Sequence, residues 1–120
     1  MYIFSFEKLE VWKEAVKFSK KIYAVTESFP DSEKFGLTNQ LRRASVSISS
    51  NLAEGTSRIT NKDKAHFTTI AYSSTMEVLS QLIVSKDLNF LNEENYLDLR
   101  SNIYKISNML NSLRKSQLND

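Results

Sequence analysis

The sequence predicts an all-α protein, a single domain over 1–120 folded as an antiparallel up-down-up-down four-helix bundle. Three observations predict it. The 120 residues include only two glycines and one proline, too few turn-formers for a strand-and-turn fold. Apolar residues recur by steps of three and four through four long segments and nowhere alternate as a strand would. Short breaks separate the segments, so each helix must turn back on the one before it.

The opening residues 1–5 are apolar and aromatic but short, and are expected to be extended or frayed. Helix one is expected over about residues 6–27. Val11, Ala15, Phe18, Ile22, Val25 and Phe29 form one row, and Leu9, Trp12, Val16 and Tyr23 form a second row beside it. Two adjacent apolar rows are more than one partner helix can cover. Core packing is the expected role of Trp12 and Phe18. Phe29-Pro30-Asp31 ends the helix, because proline lacks an amide donor and disfavours helix in the residue before it. A single turn over 31–35 would be closed by Gly36 in the left-handed conformation. Thr38 would then cap helix two, unless that helix begins as early as Asp31, and the helix is expected to end near Glu54 with Gly55 just past its C-terminus.

Helix two carries Leu37, Leu41, Ala44, Ile48 and Leu52 on one face. A second row holds Gln40, Ser47, Asn51 and Glu54. Arg43 lies one turn from Ser47, and Arg42 points away from it. The spacing leaves two readings of this polar row open: the rim of a core or of a subunit contact, or a solvated flank. Thr60 and Asp63 have the spacing of a capping box, and helix three is expected over about 61–88. Its row is Phe67, Ala71, Ser74, Val78, Leu82 and Ser85, flanked by Ile70, Thr75 and Leu79. The small residues in its middle suggest a close helix approach. After Asn89-Phe90-Leu91, Asn92 caps helix four, and Glu93 and Glu94 suit the positive end of its dipole. Tyr96, Leu99, Ile103, Ile106, Leu110 and Leu113 form a coiled-coil-like seam. Arg114 and Lys115 suit the negative end, and 116–120 should fray.

Composition excludes several classes of function. There is no cysteine, so disulfide, thiol and Cys-ligated zinc chemistry are absent. A net charge of +2 lacks the strong basic excess of a dedicated nucleic-acid-binding domain. No apolar run approaches the roughly 18–20 residues that span a bilayer, and the first residues lack the pattern of a signal peptide. The expected location is cytoplasmic, with no membrane partner.

No catalytic device is visible: no P-loop, dinucleotide fingerprint or nucleophile elbow. His66 is the one histidine, so Asp63-x-x-His66 cannot be half of a di-iron bundle site, which needs a second histidine. His66 is expected in solvent near the start of helix three. Glu54 and Glu77 are the carboxylates nearest apolar rows, and pairing with Arg42 or Arg43 is their expected role. No catalytic residue, metal, cofactor or small-molecule substrate is expected. For nucleic acid, the candidate residues are Arg42, Arg43, Arg58, Lys62 and Lys64, with Lys17, Lys20 and Lys21 as a smaller patch. One copy would bind weakly, and a ring of copies would bind by avidity. The competing reading is solvated charge interleaved with glutamate.

Three stretches carry a resemblance: FEKLEVWKEAVKF, FPDSEKFGLTNQLRRASVSISSNLAEG and FTTIAYSSTMEVLSQL. Over about 6–113 the chain resembles the small bacterial four-helix bundle family of 23S rRNA intervening-sequence proteins, also called S23 ribosomal proteins. The specific part is the middle block, with Phe29-Pro30, Gly36-Leu37, Gln40-Leu41-Arg42-Arg43-Ala44, Ser47-Ile48, Asn51 and Ala53-Glu54-Gly55. The resemblance implies a homo-oligomer, a pentameric ring or barrel, and rRNA or another nucleic acid as partner. The family is similar to accessory proteins of diversity-generating retroelements, which assemble likewise and bind nucleic acid and a reverse transcriptase. By position, Gln40, Arg42, Arg43, Ser47, Asn51 and Glu54 are its pattern polar residues, at a subunit interface or a ligand. No defined biochemical activity follows from the resemblance.

Overall fold

The computed structural model describes residues 1–119. Among these residues there are four α-helices and no strand: α1 (Glu10–Thr26), α2 (Leu37–Thr56), α3 (Asn61–Asp87) and α4 (Glu93–Asn119). Each packs against its neighbours in chain order, and α1 closes the ring against α4. The result is the expected up-down-up-down bundle, 45 × 30 × 21 Å.

The expected seams meet along the bundle axis. Ala15, Phe18 and Ile22 of α1, Leu41, Ile48 and Leu52 of α2, Ala71, Val78 and Leu82 of α3, and Leu99, Ile103, Ile106 and Leu110 of α4 are buried. Each large aliphatic side chain fully removed from water contributes about 1.5–3 kcal/mol. Ion pairs tie α1 to α4 at the rim: Lys21 Nζ lies 3.0 Å from Asp98, and Lys105 Nζ lies 3.3 Å from Glu14.

Several local expectations need correction. Helix one does not start at residue 6. A 3-10 turn over Ser5–Lys8 comes first, and Leu9 is extended (φ −71°, ψ 123°) before α1 begins. Residues 1–4 form no helix, and Phe4 is extended as expected, with its N donating to Glu7 Oε2 at 2.8 Å. Gly36 is not left-handed (φ −106°, ψ −117°). It directly precedes α2, and Leu37 N donates to Glu33 Oε1 at 3.1 Å. Thr38 is therefore a buried helical residue and not the cap. The left-handed residue is Asn89 (φ 64°), where Phe90 N donates back to Ser85 O at 2.9 Å to close α3. Helix four continues to Asn119 where 116–119 was expected to fray, and Asp120 lies outside the described residues.

Gly55 has a different role from the expected stop signal. It lies inside α2 and is buried against α3. A Cβ placed there would sit 2.9 Å from Phe67 Cβ and 3.6 Å from Lys64 O. The missing side chain is what lets α2 and α3 approach. Higher up the same pair of helices, Ser47 Oγ and Ser74 Oγ are 3.0 Å apart. The small residues of helix three do mark a close crossing. Its buried line differs by one position from the expected row: Thr68 and Thr75 are buried, while Phe67 and Ser74 are half-buried. Thr75 Oγ1 satisfies itself on Ala71 O at 2.8 Å, and Thr68 Oγ1 donates to Gln117 Oε1 of α4 at 2.7 Å.

Candidate nucleic-acid interface

The end of the bundle formed by the 3-10 turn, the C-termini of α2 and α4 and the start of α3 collects positive charge. Lys8, Lys13, Arg58, Lys62, Lys64, Arg114 and Lys115 stand there against Glu7, Glu10, Glu54 and Asp63. The opposite end is nearly balanced, with a slight acidic excess: Glu27, Asp31, Glu33, Asp87, Glu93, Glu94 and Asp98 stand against Lys21, Lys34, Arg42, Arg43, Lys86 and Arg100. At that acidic end the hydrogen bond from Lys86 to Glu93 raises the lysine above its ordinary pKa. The surplus of positive charge is thus gathered at one end, and a local excess of one sign favours the approach of the opposite sign.

Pairing sharpens the separation. At the basic end Glu7 is held by the Phe4 amide at 2.8 Å, and Glu10 by Lys13 at 3.3 Å. Glu54 forms an ion pair with Arg58 at 3.7 Å. Lys8, Lys62 and Lys64 have no carboxylate within ion-pair distance among the described residues, and Asp63 is the one acid left over. The α2–α3 turn sets these groups out. Thr60 Oγ1 accepts Asp63 N at 3.1 Å, which is the hydroxyl half of the expected capping box, and Lys62 then projects from the first turn of α3. Lys64 lines a shallow groove with Ser5, Leu9, Thr56, Leu113 and Gln117. Arg58 lies over the Phe67 ring, 4.5 Å from its centroid.

The five candidate cations are not one patch. Arg58, Lys62 and Lys64 share one end of the bundle, although Lys62 and Lys64, two positions apart on α3, project about 200° from one another. Arg42 does not join them. It is at the acidic end, where Nε donates to Thr26 Oγ1 at 2.9 Å and Nη2 to Tyr23 O at 3.3 Å. Its guanidinium stacks on the Tyr23 ring at 4.6 Å and meets Glu27 at 3.4 Å. Arg43 is exposed without an ionic partner, roughly 20 Å along α2 from Thr56 at 1.5 Å per residue. The expected pairing of Glu54 or Glu77 with Arg42 or Arg43 is therefore replaced by Glu54–Arg58 and Glu27–Arg42, and Glu77 accepts Gln81 Nε2 at 3.2 Å. Of the smaller patch, Lys21 is bound to Asp98, Lys17 approaches Glu14 at 3.9 Å, and Lys20 is unpaired.

The polar row of helix two divides between its two readings. Ser47 and Asn51 are half-buried, with Asn51 Nδ2 donating to Ser47 O at 2.8 Å, so they form the rim of the α2–α3 contact. Gln40 and Glu54 are exposed flank. His66 is exposed beside Phe67, and no group of three metal-capable side chains occurs among the described residues. No described helix is long and apolar enough to cross a membrane. On the α1–α2 side, Val16, Tyr23 and Val46 leave an open apolar groove with Ser19, Lys20 and Ser49. Ser19 Oγ is buried there without a hydrogen-bond partner.

Sequence reading missed the charged ends, because their members are scattered over the whole chain and meet only once the helix order is known. Comparison with known proteins agrees with the geometry as far as the fold. No curated relative matches the sequence. A crystal structure of a protein of unknown function from the S23 ribosomal protein family of Bacteroides thetaiotaomicron VPI-5482 superimposes with a TM-score of 0.78 at 20% identity, over 88% of this chain and 98% of that one. That likeness speaks for the bundle alone. The family model for 23S rRNA-intervening sequence proteins matches residues 7–112, and the chain belongs to that family.

Proposed function

We propose that this protein is a non-enzymatic four-helix bundle that assembles with copies of itself and binds RNA or DNA through its basic end. The observation that carries the reading is that Lys8, Lys62 and Lys64, which have no carboxylate partner among the described residues, stand at the same end of the bundle as Arg58. Phosphate contacts from such a cluster release counterions and give salt-dependent, sequence-tolerant binding. The family's connection with 23S rRNA supports RNA as the first polyanion to try. Self-association would multiply the contacts. The uncovered Val16–Tyr23–Val46 groove supports it, and the pentameric ring implied by the resemblance would repeat the basic end in every subunit. A cytoplasmic setting suits a cysteine-free chain with a nucleic-acid partner.

The test is a titration with a structured RNA across a salt series. Log affinity should fall linearly with log salt, by roughly 0.9 for each phosphate neutralised on a duplex. Absence of a complex at low salt rejects the nucleic-acid part. A second reading, a scaffold that only contacts other proteins, is favoured by the same apolar groove. It predicts self-association or partner capture without any RNA complex.

A further inference from the structure

An open groove runs between α3 and α4. Tyr72, Met76 and Leu79 of α3 and Ile103 of α4 give it an apolar floor. These α3 residues recur by steps of four and three, so one face of that helix is turned to the groove. Tyr104 lines it too and is 72% exposed. Ser107 is a further lining residue, and its Oγ is out of water without a hydrogen-bond partner. The packing of the bundle leaves that hydroxyl unanswered.

A guanidinium stands at each end of the groove. Arg100 lines one end, and its Nη1 donates to the Tyr96 hydroxyl at 2.6 Å. Tyr96 is buried, so the fork is held at its base. Arg114 Nη2 donates to Asn111 Oδ1 at 2.8 Å, and its guanidinium lies 5.7 Å from the centroid of the Tyr72 ring. Asn111 and Tyr72 both line the groove, so Arg114 borders its other end. Both arginines are held by neutral acceptors alone. Neither has a carboxylate within ion-pair distance among the described residues, and no Asp or Glu lines the groove. Fourteen residues of α4 separate the two arginines, about 21 Å at 1.5 Å per residue. Steps of about 100° bring them to within about 40° of the same helix face.

This charge pattern selects the occupant. A small anion would answer one arginine and leave the floor bare. A purely apolar segment would leave both guanidiniums without counter-charge. The chain's own apolar groove on α1 and α2 has the wrong sign, since Lys20 lines it and the Arg42 guanidinium lies over its Tyr23. An amphipathic helix laid along the groove offers apolar anchors at steps of three and four and is long enough to reach both ends.

We infer that the α3–α4 groove receives a helix of a partner protein, with an apolar stripe on one side and an acidic residue near each end. Arg100 and Arg114 set the register of that helix, while Tyr72, Met76, Leu79 and Ile103 take its apolar side chains. Lys8, Lys62 and Lys64 do not line this groove, so docking there needs no nucleic acid.

The test uses the full chain and two synthetic helical peptides of about 18 residues, long enough to span the arginines. Both have an alanine–glutamine background with leucine at steps of three and four. One carries glutamate, the other lysine, at two positions spaced as Arg100 and Arg114 are. Wild type should bind the glutamate peptide about ten-fold more tightly at low salt, because attraction at two exposed sites replaces repulsion. The preference should shrink as salt is added. Arg100→Glu/Arg114→Glu should reverse the preference, and Arg100→Gln/Arg114→Gln should abolish it. Circular dichroism checks that each bundle is intact, and the glutamine variant carries the test should the charge reversal unfold. Equal binding of the two peptides by wild type overturns the inference, as does binding of neither. A preference that survives in a folded variant overturns it too. A fall in the particle mass of either variant, measured without peptide, assigns the groove to a second copy and overturns the partner helix.

Discussion

Replacing Arg42 with lysine should weaken the fold and leave nucleic-acid binding alone. Arg42 spans from α2 to the last turn of α1, where helix carbonyls lack intrahelical donors. Its Nε reaches the buried Thr26 hydroxyl, which itself donates to Ile22 O at 2.7 Å. Lysine has no fork to make the Thr26 and Tyr23 bonds together, and it stacks less well on Tyr23. A hydrogen bond from a charged donor contributes about 1.5–3 kcal/mol when well shielded. Here the Arg42 side chain is 26% exposed and Glu27 is 78% exposed, so the Glu27 pair adds little and the lower end applies. The expected loss is about 2 kcal/mol, or a melting temperature lower by roughly 5–10 °C in a domain of this size. Thermal and urea melts measure it, alongside RNA affinity of the folded variant. Unchanged stability with weakened RNA binding would refute the placement of Arg42 as a clamp between α1 and α2.

Ile48 is fully buried between the helices, and Ile48→Ala should cost about 2–5 kcal/mol in denaturant unfolding. Gly55→Val should destabilise by about 1–3 kcal/mol, because its side chain meets Phe67 Cβ, an atom fixed to the α3 backbone. A neutral or stabilising result in the same assay would show that α2 and α3 can part at no cost. His66→Ala should change neither the melting temperature nor RNA affinity, since the ring is exposed and neither clamps a helix nor joins the lysine cluster. A clear loss of either would give that histidine a role the geometry does not explain.

The helices were legible because steps of three and four persist along each one, and because the breaks carry proline, a capping threonine or asparagine. What was misread had two meanings at the sequence level. Gly55 next to a polar stretch looks like the residue past a helix end, yet here its missing side chain admits Phe67. Gly36 drew the left-handed assignment that belongs to Asn89, and both residue types tolerate that conformation. In helix three, Ala71, Val78 and Leu82 belong to either of two lines, so periodicity alone did not choose between Thr68–Thr75 and Phe67–Ser74. The site was less legible. Adjacent Arg42 and Arg43 looked like a pair, but neighbours on a helix point about 100° apart, and only the position of α1 decides which one is clamped. That Lys8 stands at the same end as Lys62 and Lys64 depends on the chain folding back on itself, and no local pattern contains that.

Charge reversal at each end in turn tests the central claim most directly. Lys62→Glu and Lys64→Glu, made singly and together, change the basic end, and Lys34→Glu reverses one charge at the acidic end, all at exposed or half-buried positions. Affinity for a structured RNA is then measured over a salt series. The account predicts that each basic-end variant binds more weakly, the double one many-fold and with a shallower salt dependence, while Lys34→Glu binds as wild type does. Equal losses from both ends, or none from the first, would contradict it.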